Sequence, residues 1–283
     1  MKLFWCDIDN FGDALNVYIF KKCFGVDVEN ADLFDSDAMG IGSVLDNILL
    51  STKDLKKVFK ILKAKKPIYI LSSGFGWEAE HYCAKIRYFK NMYPKRKIKA
   101  VALRGIYTKE LCEKVFKTSF DDVALGDLGL LASYLIDDTK SEKKYEMGIV
   151  PHYADLQSPV FKKILEENPN SIIINTHDNP VEFLNKLNMC KTVVSTGMHP
   201  LIAADSLGIP NIWARISEKT TTRFKYKDYY SVFGINPQPY DLNNNSINPD
   251  IIRQNYAVDF EKVKAAKENL MSVMKKFFEE TEF

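Results

Sequence analysis

The sequence has little of what would place it in several common classes. Its five cysteines, Cys6, Cys23, Cys83, Cys112 and Cys190, are an odd number, with no CxxC pair and no Cys/His cluster. That argues against a disulfide framework and a zinc site, and reduced thiols in a cytosol fit best. No run approaches the ~20 apolar residues of a spanning helix. The opening MKLFWCDIDNFGD has one cation and meets acidic residues at once, so it lacks the charged-then-apolar layout of a secretory leader, and a cytoplasmic location is expected. His81, His152, His177 and His199 show no metal-ligand spacing, and the DxD-type triplet Asp35-Ser36-Asp37 is read as a solvated turn. No metal and no cofactor is expected. The phosphate motifs GxGxxG and GxxxxGK[ST] are missing too.

What is present is an ordinary globular composition: 283 residues, 46% hydrophobic and 27% charged, enough for two domains. The net charge of +2 is small but uneven. Segment 53–66 carries seven lysines around Leu55, Val58, Phe59, Ile61 and Leu62, and segment 85–99 adds a second basic group. Two readings stand: a basic, partly apolar face suited to anionic lipid or nucleic acid, and, the commoner cause of such a pattern, amphipathic helices with solvated lysines.

Short apolar runs alternate with amphipathic stretches, the pattern of an α/β protein with parallel sheets. Strands are expected at 2–6, 67–73, 98–103, 122–126, 145–150, 171–176, 192–195 and 211–214. Helices are expected from near Asp13 and at 53–64, 78–91, 107–117, 128–136, 158–167, 180–189 and 200–207. The polar stretch 137–146 is the candidate boundary, giving domains 1–141 and 142–250. Past 214 the alternation is lost until an amphipathic helix at 258–280.

The most informative segment is Ser195 to Trp213, STGMHPLIAADSLGIPNIW. A strand ends, TGMH turns, and a short apolar helix follows with Pro200 as its first residue. Such a helix N-terminus offers free N–H groups and partial positive charge to a phosphate, with Ser195, Thr196, Gly197, Met198 and His199 around it. Asn10, Gly12 and Asp13 follow the first strand in the same way, and Asp13 reads equally as helix cap or ligand. Ser73, Gly74 and Phe75, like Gly40 to Ser43, form a Gly/Ser-rich turn that could admit a ligand. Arg104 lies just past a buried strand, where either an anionic ligand or a structural aspartate would satisfy it. Asp127 reads as an N-cap. His152 ends the first strand of the second half, and His177 and Asp178 end the next.

Taken in order, NFGD (10–13), GIGSVLD (40–46), SSGFGWE (72–78), ALRGIYT (102–108), GDLGLL (126–131), GIVPHYAD (148–155), the 195–213 segment and FKYKDYYSVFG (224–234) resemble the polysaccharide pyruvyl transferase family. The resemblance implies two Rossmann-like domains facing across a cleft, as in the GT-B glycosyltransferases, with a C-terminal helix (251–283) packing back on the first domain. It also implies transfer of pyruvate from phosphoenolpyruvate to a sugar of a bacterial surface-polysaccharide precursor, capsule or exopolysaccharide, as a ketal across two hydroxyls, with release of phosphate. The first domain would take the acceptor and the second phosphoenolpyruvate. Carried over, the key turn points to Met198 and His199, and Arg104 matches the family's arginine after the mid-domain strand. For this chemistry the expected catalytic residues are His199, to supply a proton or grip phosphate, Arg104, to clamp an anion, and Asp13, to orient or deprotonate the acceptor. Two departures stand out. Gly197 replaces a basic residue of some relatives, leaving one anion contact for Arg215, Arg223 or Lys227 to supply, and Pro200 replaces the usual glycine. A lipid-linked acceptor would favour membrane docking of the basic face at the inner side of the cell membrane, and no nucleic-acid partner is expected. The alternatives are a GT-B glycosyltransferase using a nucleotide sugar and a non-catalytic carbohydrate-binding protein on the same fold.

Overall fold

The computed structural model describes residues 1–50, 66–78, 81, 98–137, 142–216 and 222–283. The two basic segments, and the helices expected at 53–64 and 78–91, fall almost wholly outside the described residues.

The chain is α/β, with two sheets in which every strand pair is parallel. The first sheet contains β1 (Lys2–Phe4), β2 (Glu29–Asn30), β3 (Ala38–Met39), β4 (Ile68–Ser73), β5 (Ile98–Leu103) and β6 (Ala124–Leu125), in the order β2-β1-β3-β4-β5-β6. The second contains β7 (Tyr145–Val150), β8 (Ser171–Ile173), β9 (Cys190–Ser195), β10 (Asn211–Arg215) and β11 (Tyr240–Asp241), in the order β11-β10-β9-β7-β8. Helices cover the faces, which is why the central strands read as continuous apolar runs rather than alternating ones. In the first sheet the chain moves one way from β1 to β2 and then back past β1 to β3. In the second it moves from β7 to β8 and then back past β7 to β9. Each sheet therefore has a switch point, at β1/β3 and at β7/β9, where the loops leaving the carboxyl ends diverge and leave a crevice.

Between the sheets lie helix Phe11–Phe24, a 3-10 helix at Leu128–Leu135, helix Met198–Ser206 and the long helix Phe260–Glu280. One apolar cluster runs through them, from Leu3 and Leu71 in the first sheet to Val150 and Val193 in the second. Phe260–Glu280 packs on the first half: Phe278 meets Phe20 and Phe24, and Phe277 meets Tyr69 at 4.9 Å between ring centres.

Most expected strands and helices fall within a few residues of their observed places, and the differences have local causes. The element at 128–136 is a 3-10 rather than an α-helix. Asp127 closes it tightly by accepting from Gly129 N at 2.8 Å, and Gly129 lets it approach Leu15 and Ile202 closely. The region after 214, expected to be irregular, contains helix Arg223–Ser231, β11 and helix Pro249–Asn255. The first of these buries Phe224, Tyr226, Asp228, Tyr229 and Tyr230, so it shows no polar stripe from which a period could be read. Asn10, not Asp13, caps helix Phe11–Phe24, its Oδ1 accepting from Asp13 N at 3.2 Å.

Candidate functional site

The two switch points meet at one cavity of about 230 Å³. From the first sheet it receives Cys6 and Ile8 after β1, Gly42 and Ser43 after β3, and Asn10, Phe11, Gly12 and Asp13 at the start of helix Phe11–Phe24. From the second it receives His152 and Tyr153 after β7, Thr176 after β8, and Gly197, Met198, His199 and Pro200 after β9. Lys225, from helix Arg223–Ser231, completes the lining. The halves are joined at its floor, where Phe11 N donates to the Thr176 carbonyl at 2.6 Å and the Phe11 and Phe183 rings stack at 3.9 Å.

Two helix N-termini open on this space. Helix Met198–Ser206 starts two residues before Pro200, whose missing N–H costs nothing in a first turn, and its cap position, Gly197, offers no side chain to the free amides. The turn is held from behind: Ser195 Oγ donates to the Val150 carbonyl at 2.7 Å and accepts from Gly197 N at 2.9 Å. Thr196 Oγ accepts from His152 N at 2.8 Å and donates to Asp155 at 2.7 Å, and its carbonyl accepts from the Tyr226 hydroxyl at 2.8 Å. Ser195 and Thr196 thus shape the turn from within the core.

Asp13, Lys225, His199 and His152 in the cavity wall are shifted from their ordinary values, mainly by removal from water. Burial pushes the Asp13 carboxyl up to about 7, against an opposing hydrogen bond from Asn10 Nδ2 at 2.5 Å. Burial brings the Lys225 ammonium down to about 8, with Arg104 adding to the shift. His199 is lowered to about 3 by burial, reinforced by Lys225 and Arg104, and His152 to about 4 by burial and Lys225. Both imidazoles are therefore neutral at pH 7. His152 Nδ1 accepts from Ala154 N at 3.2 Å, so its proton lies on Nε2. A neutral donor, a carboxyl near its midpoint, a cation and the uncapped first-turn amides of helix Met198–Ser206 thus converge on one small space.

Several residues singled out from the sequence lie elsewhere. Arg104 is fully buried, and its guanidinium donates to Asp228 at 2.9 Å, to Ser43 Oγ at 2.8 Å and to the Phe75 carbonyl. Of its two readings, the aspartate partner is the one found. The Asp228 carboxylate also accepts from Thr108 N and Oγ, both at 2.7 Å. Gly74 is needed because a Cβ there would overlap this guanidinium. Ser73 Oγ donates to the Gly40 carbonyl, and Phe75 is buried in the first-half core. Lys227 faces a separate cavity with Glu78, Tyr107 and Glu110. Arg215 stands 3.5 Å from Asp241. His177 pairs with Asp9 at 3.3 Å, and Asp178 with Lys186 at 2.9 Å.

Lys225 is the charged cavity residue that sequence reading passed over. Two positions apart on one helix, Lys225 and Lys227 point about 200° away from each other, so only one can enter the cavity. The usable signal was Tyr226, between them, which an apolar partner must bury; it stacks on Trp213 at 4.0 Å.

A family model described as polysaccharide pyruvyl transferase matches residues 10–218. An uncharacterized protein of Acanthamoeba polyphaga mimivirus is 35% identical over 142 residues, 49% of this chain and 49% of that protein. The match spans about half the length of that relative.

Proposed function

The chain belongs to the polysaccharide pyruvyl transferase family, and from that premise we propose that it moves pyruvate from phosphoenolpyruvate to two hydroxyls of a sugar, forming a ketal and releasing phosphate. The carrying observation is the cavity at the paired switch points, where Asp13, Lys225 and His199 face two helix N-termini. Residues 1–141 would offer the acceptor side and 142–250 the phosphoenolpyruvate side of two Rossmann-like domains, with 251–283 bracing the first.

Phosphoenolpyruvate brings a carboxylate and a phosphate. Lys225 and the amides at Met198 and His199 suit those charges, in a setting where fixed dipoles outweigh water. The reaction needs a proton at the methylene carbon and a base for each hydroxyl that adds at the adjacent carbon. Asp13, with its carboxyl near 7, suits proton delivery, and neutral His199 suits acceptance of a hydrogen bond from the attacking hydroxyl. Over the whole reaction one hydroxyl proton ends on the new methyl group and the other on the departing phosphate. Arg104 enters this scheme as the anchor of Ser43 in the cavity wall, not as an anion clamp.

The acceptor is expected to be a polysaccharide precursor, lipid-linked or free. No helix among the described residues is long and apolar enough to cross a membrane, so contact with a lipid-linked acceptor would be peripheral. The test is phosphate release from phosphoenolpyruvate with a panel of sugar diols, beside thermal shift against nucleotide sugars. Stabilisation by nucleotide sugars alone, without phosphate release, would reject the proposal in favour of a glycosyltransferase.

A further inference from the structure

Asp127 does not line the cavity. Its Oδ1 caps the 3-10 helix through Gly129 N, but its Oδ2 is enclosed and has no partner among the described residues. Nε2 of His199 is enclosed in the same way, also without a partner, and the two atoms stand 4.0 Å apart. One can accept and the other can donate. An approach of about 1 Å would bring them to hydrogen-bonding distance, and such contacts commonly tighten only when substrate is bound.

We propose that Asp127 is the positioning residue of His199. Its carboxylate takes the Nε2 hydrogen, fixes the neutral ring in that tautomer, and leaves Nδ1, the nitrogen beside Gly12 in the cavity wall, as the acceptor that faces substrate. This rests on the role given to His199 above, as acceptor of a hydrogen bond from the attacking hydroxyl.

The backbone around Asp127 is held more firmly than a cap requires. Ser72 Oγ donates to the Gly126 carbonyl at 2.8 Å and accepts from Leu128 N at 2.6 Å, so it grips the chain on both sides of Asp127. Ser72 does so from a left-handed conformation, φ 73°, that serine adopts at a cost, and Gly126 lies at φ 143°. Capping asks for Oδ1 alone, whereas this double anchoring fixes where Oδ2 points. The surrounding charges favour a neutral ring. Lys225, Arg104 and neutral His152 act on His199, while Asp127 feels both Arg104 and Asp228, the latter engaged by Arg104 and Thr108. Asp127 itself is raised only to about 6 by burial, so at pH 7.5 it is mostly the anion that can accept.

The decisive measurement is the tautomer. Long-range proton–nitrogen NMR of the 15N-histidine protein at pH 7.5, with His199 identified by its disappearance in H199Q, is expected to show a proton on Nε2. Asp127→Asn keeps the Oδ1 cap but turns the other atom into a donor, so it should move the ring proton to Nδ1. With it kcat should fall by about 10²-fold or more, as when a catalytic histidine is held in the wrong tautomer, while KM and the thermal midpoint stay near those of the wild type. A proton on Nδ1 in the wild type, or an unchanged tautomer in D127N, overturns the proposal, and the wild-type spectrum decides alone if D127N does not fold. Full transfer by H199Q would instead remove the role given to His199, whatever the tautomer, so the two failures are separable.

Discussion

The imidazole of His199 fills the space that a side chain at Gly12 would need: a Cβ there would overlap Nδ1, Cγ and Cε1 of the ring. The two residues come from opposite halves, so the absence of an atom in one positions the ring of the other. Gly12→Ala should therefore displace the ring by about an ångström and lower transfer about 10²-fold. Helix content should hold, because alanine is the better helix former by ~1 kcal/mol. Steady-state rates alongside circular dichroism would check this; unchanged rates would mean the ring relocates freely.

Lys225 and Lys227 give a paired test. Lys225→Met should abolish the thermal stabilisation that phosphoenolpyruvate confers, about 2.7 kcal/mol at a hundredfold excess over Kd in the wild type. Lys227→Met should leave it intact, since Lys227 faces another cavity. Equal losses in both would show that long-range charge, not the cavity contact, holds the anion.

Asp13 should burden the fold above neutrality. Its folded value of about 7 lies above the ~3.9 of an unfolded chain. Between those values the folded protein keeps a proton that the unfolded chain has lost, so this group's contribution to stability declines as pH rises from about 4 to about 7. Asp13→Asn should therefore be more stable than the wild type at pH 8, by up to about 4 kcal/mol, and no different at pH 4, while losing transfer. Denaturant titrations at the two pH values decide it, and a wild-type rate profile with a limb near pH 7 would accompany it.

The Arg104–Asp228 pair, with neither side chain exposed, should behave as a structural unit. Asp228→Asn leaves a buried guanidinium without its counter-charge and should cost about 3–5 kcal/mol in chemical denaturation. A neutral result would show that solvent reaches the site and that Arg104 is open to a ligand after all.

How far the sequence was legible follows from which residues act locally. The 195–213 segment was readable because a strand end, a turn and a helix start carry their own signals. Asn10 to Asp13 were readable in place but not in duty, since the helix starts at Phe11, which makes Asn10 the cap and leaves Asp13 in the first turn beside the cavity. Arg104 left two readings because the deciding partner, Asp228, lies 124 positions away. The facing of Asp127 and His199 is likewise a product of tertiary packing. Helix Arg223–Ser231 hid Lys225 because burial on most of its sides erases the period that would tell one lysine from the next.

The bond from Phe11 N to the Thr176 carbonyl and the Phe11/Phe183 stack fasten the two halves beneath the site. A container bolted at its base works as a well rather than a jaw. Under the function proposed above, reactants would enter and leave past Ile8 and Tyr153, the exposed apolar and aromatic side chains of the cavity wall, rather than by a parting of the two halves.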